Sequence, residues 1–155
     1  MSTLPTDPER RATAVVRHML AHDAFSQWMN VELLEVKPAR VKLRMAVRQE
    51  MTNGFGVCHG GVTFAFADSA LAFASNTGGK LTVSIENSVT YPIAVQVGDV
   101  LLADAEQEAS SRRLAYYRIR ITRGDGTVVA LFRGTVYQTD RDLDVGPGAG
   151  ADGSQ

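Results

Sequence analysis

From Val62 to Ala74 the chain reads Val, Thr, Phe, Ala, Phe, Ala, Asp, Ser, Ala, Leu, Ala, Phe, Ala, with a single charge, Asp68. A run this apolar, with no polar stripe at helical spacing, predicts a helix buried on most of its sides. The rest of the chain must therefore be able to surround it. Asp68 adds a second constraint, because the positions three and four residues away hold Phe64, Ala65, Leu71 and Ala72. No cation on its own helix offsets the cost of desolvating the carboxylate. Either a neighbouring backbone or hydroxyl group satisfies Asp68 as a plain structural residue, or its poor solvation is used for chemistry.

The segments on either side supply the wrapping. Asp7 as N-cap and Pro8 in the first turn open a helix expected to reach about His22, with Ala12, Val15, Val16, Met19 and Leu20 on one face. Val31 to Val36 and Val41 to Val47 read as a hairpin around Lys37-Pro38-Ala39-Arg40. A glycine-rich loop, 48–61, feeds the apolar helix, which Gly60-Gly61 starts and Gly78-Gly79 ends. Leu81, Val83, Ile85, Val89 and Tyr91 alternate with polar residues along a two-faced strand closed by Pro92. Residues 100–108, 114–122 and 128–138 are three further strands, the last two joined by a tight turn at Arg123-Gly124-Asp125-Gly126-Thr127. This order, helix, two strands, buried helix, four strands, predicts an α+β fold in which one antiparallel sheet wraps a central helix.

With 155 residues, 45% hydrophobic and 21% charged, the chain fits one domain. We divide it into an N-terminal helix segment (1–24), the sheet-and-helix domain (25–139) and a disordered tail (140–155), since nothing beyond Asp140 looks able to bury. A formal net charge of -1 gives no field for nucleic acid, and no basic block or long apolar run points to a membrane. One cysteine, Cys58, excludes an internal disulfide, and no apolar leader is evident, so a reducing cytoplasm is expected. Cys58 is read as packing. His18 and His22 have no further ligand nearby, so no metal is expected.

Several motifs occur together in order: Met51-Thr52-Asn53-Gly54, Cys58-His59-Gly60-Gly61, Phe66-Ala67-Asp68, Asn76-Thr77-Gly78, Val89-Thr90-Tyr91 and Val129-Ala130-Leu131-Phe132-Arg133-Gly134. The set resembles the hotdog-fold acyl-CoA thioesterases, most closely those of the PaaI phenylacetyl-CoA type, over roughly residues 25–138. The resemblance implies a homo-oligomer, a dimer at least and a tetramer by family pattern, with active sites across the dimer interface. It implies that Asp68 is nucleophile or general base, that the Gly60 N–H meets the thioester oxygen, and that Asn53 holds water or the carbonyl. His59 and Ser84 match further family positions. The implied substrate is phenylacetyl-CoA, a ring-hydroxylated form or a related acyl-CoA, with no cofactor.

Read as chemistry, Gly60 at a helix start is a sound oxyanion donor, although Gly60-Gly61 could equally serve only to turn the chain. His59 reads as a brace with an indirect contribution. Asn53-Gly54 alone is a turn signal, and Ser84 alone a surface serine. Coenzyme A phosphates need cations, for which Arg112, Arg113 and Lys80 are the candidates, with surface solubility as the plain alternative. Phe64, Phe66 and Phe73 are mostly core, with the acyl group passing near them. Two rival readings are a hotdog hydratase or dehydratase and a non-catalytic acyl-CoA-binding protein. No histidine follows Asp68, which disfavours the first, and the presence of Asp68 itself disfavours the second.

Overall fold

The computed structural model describes residues 4–146. Helix α1 (Pro8–His22) is followed by a short α2 (Ala24–Trp28), strands β1 (Glu32–Lys37) and β2 (Arg40–Ala46), a single 3-10 turn (Gln49–Met51), helix α3 (Gly60–Asn76), and strands β3 (Lys80–Thr90), β4 (Val100–Ser110), β5 (Leu114–Arg123) and β6 (Val128–Asp142). The strands form one antiparallel sheet in the order β1-β2-β4-β5-β6-β3. The expected order of elements holds, with α2 added. Asp23 creates that extra helix, since its carboxylate accepts from the Ser26 N–H and hydroxyl.

Helix α3 lies along the inner face of the sheet, where Phe66, Ala67, Ala70, Leu71, Phe73 and Ala74 are buried against Val41, Leu43, Met45, Leu101, Ile119, Ile121 and Phe132. That enclosure explains the missing polar stripe. Helix α1 begins at its Asp7 cap, which accepts from the Arg10 N–H, and buries Ala12, Val15 and Val16. The β1–β2 turn is bound to the end of α3, since the Ala39 N–H donates to the Thr77 hydroxyl at 2.8 Å.

Two expectations need correction. The chain does not become unattached beyond Asp140: β6 continues to Asp142, the Leu143 N–H donates to the Gly79 carbonyl at 2.9 Å, and Val145 is buried. Val145 finds an apolar site that composition alone did not disclose; the remainder of the expected disordered tail, 147–155, lies outside the described residues. Strict alternation along β3 also fails. Its pairing with β6 slips between Ser84 and Glu86, and Val83 and Ile85 are exposed while Thr82 is buried. One residue of bulge transposes the two faces of a strand.

Candidate active site

The loop before α3 is a compact turn. The Asn53 side-chain oxygen accepts from the Phe55 N–H at 2.9 Å and from the Val57 N–H at 3.4 Å, and the His59 N–H donates to the Met51 carbonyl. Asn53 is thus held by its own loop, with its amide nitrogen left for another group. Phe55 stands at the tip of that turn, 92% exposed.

His59 is the N-cap of α3, and its Nδ1 accepts from the Gly61 N–H at 2.8 Å. An accepting Nδ1 places the ring proton on Nε2. This is the brace expected of His59. Gly61 is needed beside it, because a Cβ there would lie 2.9 Å from His59 Nδ1. The Gly60 N–H makes no hydrogen bond among the described residues, while the Gly60 carbonyl accepts from the Tyr91 hydroxyl at 2.8 Å. An unpartnered N–H at the positive end of a 17-residue helix suits an anionic oxygen.

Asp68 is half-buried in the middle of α3, and its Oδ1 accepts from Asn87 Nδ2 at 3.3 Å. Burial pushes its carboxyl above the ordinary range; the Asn87 hydrogen bond opposes this, and the charge of Asp23 adds to it. Among the described residues no cation pairs with it. Ser84 is exposed and does not reach Asp68 directly: its hydroxyl donates to Asn87 Oδ1 at 2.9 Å. Asn87 is the residue the sequence did not reveal.

Cys58 is buried, with its thiol against the Thr63 hydroxyl at 3.8 Å and pushed up by burial, in keeping with packing. Phe66 and Phe73 are fully buried; Phe64 is less so and packs edge-on against Phe132. Of the candidate phosphate-binding cations, Lys80 pairs with Asp142 at 2.6 Å and Arg113 with Asp140 at 2.8 Å. Arg112 is exposed and unpaired among the described residues. Lys80 follows the C-terminal end of α3, a helix length from Gly60.

Gly60 and Asp68 sit eight residues apart on one helix, which separates them by ~12 Å at the standard rise. One carbonyl group cannot touch both within a single chain.

Residues 55–130 match the Thioesterase superfamily. A relative in Archaeoglobus fulgidus is 36% identical over 126 residues, covering 81% of this chain and 82% of its own. The acyl-coenzyme A thioesterase PaaI of Escherichia coli is 30% identical over 120 residues, covering 77% of this chain and 86% of its own. The solved structure of the E. coli PaaI protein from the phenylacetic acid degradation operon superposes with a TM-score of 0.85 at 26% identity, over 88% of this chain and 99% of that one. The chain belongs to the Thioesterase superfamily, as a hotdog-fold member of the PaaI type. By class it is an acyl-CoA thioester hydrolase.

Proposed function

We propose that the chain hydrolyses phenylacetyl-CoA, a ring-hydroxylated phenylacetyl-CoA or a related aryl-acyl-CoA to the free acid and coenzyme A, with Asp68 as the working carboxylate. The aryl-acetyl preference is supported by the likeness to PaaI of the phenylacetic acid degradation operon. The observation that carries the chemistry is the pairing of a half-buried, poorly solvated carboxylate with an unpartnered helix-start N–H. Raised basicity makes Asp68 a better proton acceptor at neutral pH.

In this reading water attacks the thioester carbonyl carbon while Asp68 takes its proton. The carbonyl oxygen becomes an oxyanion held by the Gly60 N–H of a second copy. The intermediate collapses, the carbon–sulfur bond breaks, and the departing thiolate recovers the proton from Asp68. Direct attack by Asp68 through an acyl-enzyme anhydride is the other route open to a carboxylate. Asn53, held at its carbonyl end by the loop, offers its Nδ2 to the water or the carbonyl, and His59 keeps the helix start in shape.

The ~12 Å separation along α3 supports an assembly in which Asp68 and Gly60 come from two copies. Strand β3 is the sheet edge, eleven residues long, with Val83 44% and Ile85 57% exposed. An edge of that length suits pairing with a second copy, giving a dimer at least and, by family pattern, a tetramer. Arg112 is the freest of the three candidate phosphate cations; Arg113 and Lys80 would have to exchange their carboxylate partners for phosphate. We place the enzyme in the cytoplasm, which suits a lone reduced Cys58. No described helix is long and apolar enough to cross a membrane.

A panel of aryl-acetyl, benzoyl and linear acyl-CoA esters tests the proposal. Highest kcat/KM on the aryl-acetyl esters is expected. Faster turnover of linear chains would overturn the substrate assignment, and full hydrolysis by an oligomeric Asp68→Ala variant would overturn the role of Asp68.

A further inference from the structure

We propose that Asn87 is a positioning residue for Asp68, its amide held in orientation by Ser84 and given room by Gly134. The inference rests on the reading of Asp68 as the working carboxylate. Asn87 projects from β3 to α3, where Nδ2 donates to Asp68 Oδ1 at 3.3 Å and Oδ1 accepts from Ser84 Oγ at 2.9 Å. Three separate features of the chain aim this amide.

The first is the bulge. Ser84 and Asn87 are three residues apart, so a regular strand would point them to opposite faces. Ser84 is paired with Val136 but Glu86 with Thr135, and the slip between them brings Ser84 and Asn87 within hydrogen-bonding reach. The second is Gly134, which faces Asn87 across the β3–β6 ladder. A Cβ at Gly134 would lie 2.9 Å from Asn87 Oδ1 and 2.4 Å from Leu71 Cδ2, so only glycine leaves space for both side chains. The third is the Ser84 hydroxyl itself. By occupying Asn87 Oδ1 it selects the amide orientation that turns Nδ2–H toward a carboxylate.

Two effects on Asp68 follow. One carboxylate oxygen is engaged, which leaves Oδ2 to face the water or the carbonyl. The ionised form is also favoured against its surroundings: Phe64, Ala65, Leu71 and Ala72 on α3 give no charge, Asp23 from the α1–α2 junction repels, and among the described residues Asn87 from β3 is the group that stabilises the anion.

The test compares Asn87→Leu, Asn87→Asp and Ser84→Ala with the native protein and Asp68→Asn, on whichever acyl-CoA ester is turned over fastest. Melting and gel filtration confirm folding and assembly. Asn87→Leu should lower kcat by on the order of tenfold with little change in KM. It should also move the acid limb of the kcat/KM profile upward by about half to one pH unit. Asn87→Asp should move that limb further, since a second carboxylate then faces Asp68, and Ser84→Ala should move it less than Asn87→Leu. A folded Asn87→Leu with native kcat and an unmoved acid limb overturns the proposal, while an inactive Asp68→Asn beside it shows the catalytic reading intact. Full activity in Asp68→Asn would instead remove the reading on which the inference rests. If Asn87→Leu fails to fold, Ser84→Ala at its exposed position decides, and an unmoved limb there overturns the proposal.

Discussion

The Tyr91 hydroxyl donates to the Gly60 carbonyl at 2.8 Å, and the same ring lies against the glycine, 3.3 Å from where a Cβ would stand. Tyr91, just past the end of β3, thereby fixes the start of α3 from the carbonyl side and leaves the N–H side open. Tyr91→Phe keeps the ring and removes the hydrogen bond. Its kcat/KM should fall by about three- to tenfold, in line with the loss of one neutral hydrogen bond. Unchanged steady-state kinetics would show that Tyr91 does not orient the donor.

Asp68→Asn should lose activity and gain stability together. Burial holds the Asp68 carboxyl above its ordinary range, so the native state binds its proton more readily than the unfolded chain does. Stability contributed by this group is therefore present below the ordinary carboxylate value and lost as pH rises through the raised one. The variant should melt higher than the native protein at pH 7, with the difference vanishing below about pH 4. Thermal melts across that range check the sign.

The same displacement fixes the acid side of the rate profile. Activity should fall off on acidification with an inflection above the ordinary carboxylate value of about 4, because Asp68 must be ionised to accept a proton. An inflection at or below that value would assign the limb to another group.

Gly134→Ala should destabilise the fold as well as the site. The added methyl would stand 2.4 Å from Leu71 Cδ2 in a fully packed interior. Such overpacking costs about 1–3 kcal/mol, which urea denaturation would register as a lower midpoint at unchanged slope.

Much of this was legible in the sequence because one residue pattern dominates it. The uncharged run around Asp68 dictated a wrapped helix, and the order of alternating segments dictated an antiparallel sheet to wrap it. A helix start at Gly60 and a bracing His59 were legible as candidates from helix-start chemistry; that His59 is the N-cap itself comes from the structure. What stayed hidden depends on single-residue geometry. The bulge between Ser84 and Glu86 carries no proline or glycine to announce it, so strict alternation assigns the wrong face to Val83 and Ile85 and gives no sign that Asn87 meets Ser84 and Asp68. Helix α2 is too short for periodicity to show, and Val145 is buried by tertiary contact alone.

Labelled water separates the two routes open to Asp68. In a single turnover in 18O-water, a general base leaves the enzyme unlabelled, whereas a nucleophilic carboxylate acquires the label when the anhydride is cleaved at its own carbonyl. Mass spectrometry of the peptide containing Asp68 reads the result, and the general-base route proposed above predicts no label.

The central claim is that Asp68 works with the Gly60 N–H of another copy, and mixing two defective chains tests it most directly. With Gly60→Ala, which keeps the N–H, as the control for a Cβ 3.3 Å from the Tyr91 ring, Gly60→Pro deletes the unpartnered N–H at a first helical position that tolerates proline, behind a His59 already extended at φ -62 and ψ 130. Alone Gly60→Pro should lose about 10²–10³ in kcat, as Asp68→Asn should lose its activity. In a randomly mixed population of dimers, half are hybrids, and each hybrid holds one site with both native groups, so roughly a quarter of native activity should return. No recovery in verified hybrids would contradict a site shared between copies.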